Sequence, residues 1–406
     1  MTDKNKHIPQ GYKDSPLGII PKEWEVKRLG EVCTFLDSQR IPIKDMDREK
    51  MQGKYPYYGA SGIIDYINDY IFDDNLILLS EDGANILMRN TPLAFLVSGK
   101  IWVNNHAHVL KTKKEFNRYY VCSYLESLSY DKYNTGTAQP KLNREVCEKI
   151  PVLLPSREEQ NKISNLLAMW DTAIEQQTIL IEKLNLRKRA LRQQLLTGKK
   201  RLPGFSGEWE CIKLGDIVVR ITRKNEENNK NVVTISAQRG FVAQTDFFNK
   251  SVASETLDNY FLVYKDEFCY NKSYSNGYPM GAIKRLNSFD KAVVTTLYIC
   301  FKLKNNVSIN IDYFEQYCES GIFNKELVEV ANEGGRAHGL LNVTPTDFFN
   351  MHMRIPYIAE QNSIATILVK ACKEIELAKE KLANLQSQKR GLMQQLLTGK
   401  RRIVEQ

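Results

Sequence analysis

The chain has no apolar run of the roughly 18 residues that a membrane helix needs, although 42% of its 406 residues are hydrophobic. Residues 1–12 are polar and charged and contain no apolar signal core, so a cytoplasmic location and no membrane partner are expected. The eight cysteines, at 33, 122, 147, 211, 269, 300, 318 and 372, form no Cys-x-x-Cys pair. That excludes a zinc ribbon or a dithiol redox motif and leaves reduced, mostly buried thiols. A phosphate loop is missing as well, because Thr197-Gly198-Lys199 lacks both the upstream glycine and the following hydroxyl. No Gly-x-Gly-x-x-Gly turn and no Asn-Pro-Pro-Tyr-like adenine pocket occurs. Most routes to catalysis are thereby closed, and no cofactor or metal is expected in the chain itself. Charge is only mildly one-sided: 57 Lys and Arg against 48 Asp and Glu give +9, which permits nucleic-acid binding without requiring it.

What the chain does have is a long repeat. Pro155-Ser156-Arg157-Glu158-Glu159-Gln160-Asn161 and Gln193-Gln194-Leu195-Leu196-Thr197-Gly198-Lys199 return as Pro356-Tyr357-Ile358-Ala359-Glu360-Gln361-Asn362 and Gln394-Gln395-Leu396-Leu397-Thr398-Gly399-Lys400. Gln160 and Gln361, like Thr197 and Thr398, stand 201 positions apart. Solenoid periods run to roughly 50 residues at most, so the chain is instead built twice over. The opening segments repeat too: Trp24 and Gly30 match Trp209 and Gly215 at an offset of 185. Each half thus begins alike, diverges in the middle and ends in a matching block.

The matching blocks read as long helices. Ser156 is placed as N-cap with Glu159 completing a capping box, and Gly198 as the stop. Ile163, Leu167, Trp170, Ile174, Ile181, Leu184, Leu191 and Leu195 form a heptad seam, interrupted by Gln177 and Lys188. The second copy carries Ile364, Leu368, Ala371, Ile375, Ala378, Leu382, Leu385, Leu392 and Leu396, with Lys389 in the slot of Lys188 and Gly391 near its end. Each helix would be roughly 50 Å long at 1.5 Å per residue. Neither narrow stripe is stable alone, so each helix is the other's partner, antiparallel if a two-fold relates the halves. Leu166, Ala173 and Leu180 widen the first stripe as a partner site would.

Between these blocks the pattern is strand-rich. Leu76-Ile77-Leu78-Leu79, Lys100-Ile101-Trp102-Val103 and the run 293–299 read as strands, with shorter helices over 119–128 and 311–319. The expected fold class is mixed α/β: a domain over 1–155, a helical spacer over 156–199, a second domain over 200–356 and a second spacer over 357–406.

These motifs carry a resemblance. The repeated Glu-Gln-Asn and Gln-Gln-Leu-Leu-Thr-Gly-Lys blocks resemble the conserved regions of the specificity subunit of Type I restriction–modification enzymes. So do Ile20-Pro21-Lys22-Glu23-Trp24, Gly204-Phe205-Ser206-Gly207-Glu208-Trp209, the segment Tyr57-Tyr58-Gly59-Ala60-Ser61-Gly62 and Tyr270-Asn271-Lys272-Ser273. The resemblance implies two target-recognition domains that each read half of a split double-stranded DNA sequence. It implies helices that set their separation and dock two methyltransferase subunits, and motor–nuclease subunits joining that core. S-adenosylmethionine, ATP and Mg would belong to those partners. A specificity subunit serving a fused restriction–methylation enzyme stays open within the same family.

DNA reading needs cations for phosphates and planar amides or guanidinium groups for base edges. The candidates in the first domain are Asn85, Arg89, Asn104, Asn105, His106, Gln139 and Lys141. In the second they are Gln238, Arg239, Asn271, Lys272, Ser273, Tyr274, Lys284, Arg285, Arg336 and His338. For any one of them the alternative is a turn residue. The segments 183–201 and 381–402 hold eight and six Lys or Arg and no acid, suiting helix C-termini or a docking surface. Two rivals remain: a coiled-coil adaptor that binds proteins, and an enzyme in which His106, His108 and Glu81 or Asp82 hold a metal from one face of a strand.

Overall fold

The structure is a computed structural model that describes residues 8–244, 257–331 and 340–403. The chain divides into two units, Met1–Thr178 with Glu380–Gln406, and Ile179–Lys379.

In the first unit Leu76, Ile77, Leu78 and Leu79 are all fully buried, as an unbroken apolar run requires. They sit in the strand Phe72–Ser80. Its six-stranded sheet runs Cys33–Phe35, Ala107–Thr112, Phe72–Ser80, Ala94–Val103, Gln52–Gly59, Gly62–Ile67. Neighbours are antiparallel except Gln52–Gly59 and Ala94–Val103, which pair in parallel. Alternate residues feed two cores. Ile77 and Leu79 pack with Tyr120, Val121 and Leu125 of the helix Arg118–Ser127, while Leu76 and Leu78 meet Val97, Ile101 and Val109 on the other face. Each such side chain contributes roughly 1.5–3 kcal/mol.

The second unit is smaller in its sheet and richer in aromatics. Four antiparallel strands run Val218–Ile221, Ile299–Leu303, Phe268–Asn271, Ala282–Arg285. Phe268 stacks on Phe301 and meets Phe314 of the helix Ile311–Glu319 edge-on at 5.0 Å. Cys269 and Cys300 serve the opposite face, with Ile235, Phe241 and Val263. The single strand expected over 293–299 is in fact two, Lys291–Val294 and Ile299–Leu303. Thr295 breaks it: its hydroxyl accepts the Leu297 amide and its carbonyl the Tyr298 amide, a local turn that competes with the ladder.

In both units a two-stranded ribbon closes the domain where a long helix begins. Glu25–Arg28 pairs with Pro151–Leu154, and Glu210–Lys213 with His352–Ile355. A proline then ends the ribbon, and the helices Arg157–Leu195 and Ile358–Leu396 follow, 39 residues each. Within each unit the start of one helix lies antiparallel along the end of the other. In the first, Ile163 and Leu167 share a core with Met393, Leu396 and Leu397, and Lys389 pairs with Asp171. In the second, Leu195 and Leu196 pack with Ile364, Ala365 and Leu368. The seam is most deeply buried at these domain ends; Trp170, Ile174, Ile181, Leu184, Leu382 and Leu385 are half-buried. Ile375 is buried, Leu191 and Leu392 are partly covered, and Leu180 beside the seam is exposed.

The capping box needs correcting. Ser156 Oγ does accept the Glu159 amide at 3.2 Å, but the Glu159 carboxylate turns away to Trp24 and Arg402. It does so because a carboxylate 5% exposed gains more from a guanidinium than from one backbone amide.

Candidate nucleic-acid interface

In the first unit several loops meet at one end of the sheet. The Glu81 amide donates to His106 carbonyl (2.9 Å), Gly83 to Pro140 (3.0 Å) and Leu142 back to Glu81 (2.7 Å). Asp82 and Lys141 form an isolated antiparallel bridge. Arg40, 13% exposed, ties the group together: its guanidinium reaches Glu81 at 2.7 Å and the carbonyls of Asn105 and Ala107. Lys141 lies 3.4 Å from the other Glu81 oxygen. Asn105, His106, Gln139 and Lys141 are thereby gathered and exposed.

Other first-domain candidates are engaged inward. Asn104 is buried, and its side chain accepts the His106 amide. Asn85 both donates to and accepts from the Thr91 backbone. Arg89 caps the helix Asn85–Met88 in the left-handed region and pairs with Glu126 at 2.9 Å. The two histidines do not converge. His106 precedes the strand and binds Asp82 at 2.9 Å; His108 is buried against Asp37 at 2.7 Å. Among the described residues no three His, Cys, Asp or Glu are grouped to hold a metal ion.

The second unit repeats the frame with different chemistry. Ser273 and Leu340 form the corresponding bridge, and the Leu341 amide donates to the Lys272 carbonyl at 3.1 Å, as Leu142 does to Glu81. Beside it lies a cleft of about 350 Å³ lined by Thr234, Ser236, Gln238, Asn271, Ser273 and Tyr298, among others, with no charged side chain among the described lining residues. Asn271 is half-buried and spends its carboxamide on Ile235 carbonyl and Ser273 amide; Gln238 is exposed and donates to Asn276 carbonyl. Arg239 and Tyr274 are exposed, and Lys272 is half-buried. Lys284 is buried and paired with Glu319. Arg285 binds Asp266 (2.6 Å), Asp312 (2.7 Å) and Glu315 (3.0 Å). Although burial opposes it, these acids raise the Arg285 pKa, and the guanidinium is turned toward them. Arg336 and His338 lie outside the described residues.

Residues 21–185 match the family of the Type I restriction modification DNA specificity domain. A type I restriction enzyme specificity subunit of Haemophilus influenzae is 28% identical over 254 residues, covering 62% of this chain and 63% of that protein's length. The Type I restriction enzyme MjaVIII specificity subunit of Methanocaldococcus jannaschii is 22% identical, over 95% of this chain and 94% of its own. The S subunit structure of a Type-I restriction-modification system from M. genitalium shares the fold with a TM-score of 0.56 at 16% identity, over 92% of this chain and 96% of that one. The chain is thus similar to Type I specificity subunits, through a matched domain over residues 21–185 and a fainter likeness along nearly its whole length.

In this chain the repeated Glu-Gln-Asn block is the feature whose role the sequence left unread. Glu159 is held by Arg402 and Trp24; Glu360 is held at both oxygens by Arg201 at 2.7–2.8 Å. Gln160 accepts the Asn117 amide and donates to Pro155 carbonyl, as Gln361 does with Asn310 and Pro356. Asn161 and Asn362 bond the same Asn117 and Asn310, which cap the domain helices. The block is a lock between each domain and the helix that leaves it. Its signal was available: Arg201 and Arg402 share the offset of 201 with Glu159 and Glu360.

Proposed function

We propose that the chain is the DNA-reading subunit of a Type I restriction–modification complex, without catalysis of its own, and that it reads a bipartite double-stranded target with one half-site per unit. The paired helices would fix the spacer. Two methyltransferase subunits would dock on the helical region and motor–nuclease subunits would join them, bringing S-adenosylmethionine, ATP and Mg for their own chemistry. The four-part division at 155, 199 and 356 is the corresponding proposal for where readers end and spacers begin.

One observation supports this most. The same backbone bridge, Asp82 to Lys141 and Ser273 to Leu340, underlies two chemically different sets of exposed side chains. A frame kept constant under varied polar groups is what two readers of different words require. A good bidentate contact to a base is worth about 1–3 kcal/mol of discrimination. Footprinting on a selected duplex is expected to give two short protected blocks around an unread spacer; one continuous block would sink the split-site reading. Within it, Lys141→Ala should lower the slope of log affinity against log salt by about one, as loss of a phosphate contact does. Gln238→Ala should weaken discrimination at one base position and leave that slope unchanged.

A further inference from the structure

His108 is 1% exposed, yet both of its ring nitrogens are bonded. Nδ1 lies 2.7 Å from the Asp37 carboxylate and Nε2 2.7 Å from the Leu142 carbonyl. Both partners only accept, so both nitrogens carry protons and the ring is an imidazolium. Burial by itself disfavours that charge, but Asp37, with the neighbouring Cys147, lifts the pKa to about 10. Glu81 lies 3.7 Å from the ring, Arg40 3.9 Å from Asp37, and the Val109 amide donates to Asp37 at 2.9 Å. Phe35 closes one side edge-on at 5.8 Å.

The clamp joins pieces that are far apart in sequence. Asp37 opens the turn Asp37–Gln39 that delivers Arg40 to the Asn105 loop. Leu142 follows Lys141 and is bonded to Glu81. At the corresponding described positions the second unit has no ionisable pair. Strand pairing aligns Cys33 and Thr112 with Val218 and Leu303, so Ile299 stands where His108 does and Thr222 where Asp37 does.

We propose that His108 is a positioning residue for the first unit's reading loops, holding the Asn105–His106 loop and the segment carrying Gln139 and Lys141 in register, and that the second unit reads without such an ion. The proposal rests on the DNA-reading assignment above.

The test is selection of bound sequences from random duplex DNA by the full-length chain. In His108→Gln, discrimination should fall about tenfold or more at one block and persist at the other. The salt slope should not change, because the imidazolium touches no phosphate. Asp37→Asn, which keeps the shape and removes the charge, should affect the same block. Preference kept at both blocks, or lost at both, overturns the proposal. Nitrogen NMR of histidine-labelled protein without DNA checks the clamp separately: two ring N–H protons on His108 at pH 8 are expected, and a single one overturns it. A wild-type selection that enriches no sequence removes the DNA-reading assignment, and this proposal with it, whatever the ring protons show.

Discussion

A buried carboxylate needs donors, and the two equivalent ones find different numbers. Glu159 has Arg402 and the Trp24 indole; Glu360 has Arg201, while the Trp209 indole N–H is buried without a partner. Arg201→Ala is therefore expected to lower the urea midpoint more than Arg402→Ala, since only the second leaves a donor behind. Equal effects would mean that Trp24 contributes nothing to Glu159. His108 gives a pH signature. Its folded pKa of about 10 exceeds the unfolded value near 6.5, so its stabilisation is complete below about 6.5 and is lost as pH rises through about 10. Asp37 is depressed despite burial, through its bonds to His108, so its share is lost as pH falls. Melting temperatures of His108→Gln across pH 7 to 10 should lack the decline seen in the native chain. None of this was legible residue by residue. Asn, Arg and His in loops look alike in sequence, whether they face solvent, as Asn105 does, or pair with an acid of the same domain, as Arg89 does.

The helices were far more legible than the loops, because their signals are local. A heptad period, a proline before the first turn and a glycine after the last fix both long helices without any tertiary contact. The strand at 76–79 was legible for the same reason, while 293–299 misled because a threonine hydroxyl could close a turn. Where the helices end, the two glycines differ in surroundings. Both Gly198 and Gly399 hold φ near +70, but a Cβ on Gly399 would stand 2.5 Å from Pro21 Cδ, against 3.4 Å from Trp209 for Gly198. Gly198→Ala should cost the left-handed strain of about 1–2 kcal/mol, and Gly399→Ala distinctly more. Gly391 is different again: it is helical, exposed and has nothing within 4 Å, so Gly391→Ala should stabilise by about 0.8–1 kcal/mol in denaturant unfolding.

At the scale of the whole chain, the two units are not alike in sequence continuity. The second is the unbroken stretch Ile179–Lys379, whereas the first is completed by Glu380–Gln406. Those last residues bring Met393, Leu396 and Leu397 into the first unit's core and Arg402 to Glu159 across 243 positions. Three side chains at roughly 1.5–3 kcal/mol each approach the whole stability of a typical domain, about 5–15 kcal/mol. A chain cut after residue 379 should therefore keep hydrogen-exchange protection in Phe268–Asn271 and lose it in Phe72–Ser80. Protection retained in both would mean that the first core closes without its late helix.

That discontinuity has a consequence in time. A ribosome adds roughly 5–20 residues each second, so about 10–45 s separate the emergence of residue 178 from that of residue 406. Throughout that interval Ile163 and Leu167 have no helix to cover them, and the second unit, complete at residue 379, can close before they are covered. The half of the chain that is made first is finished last.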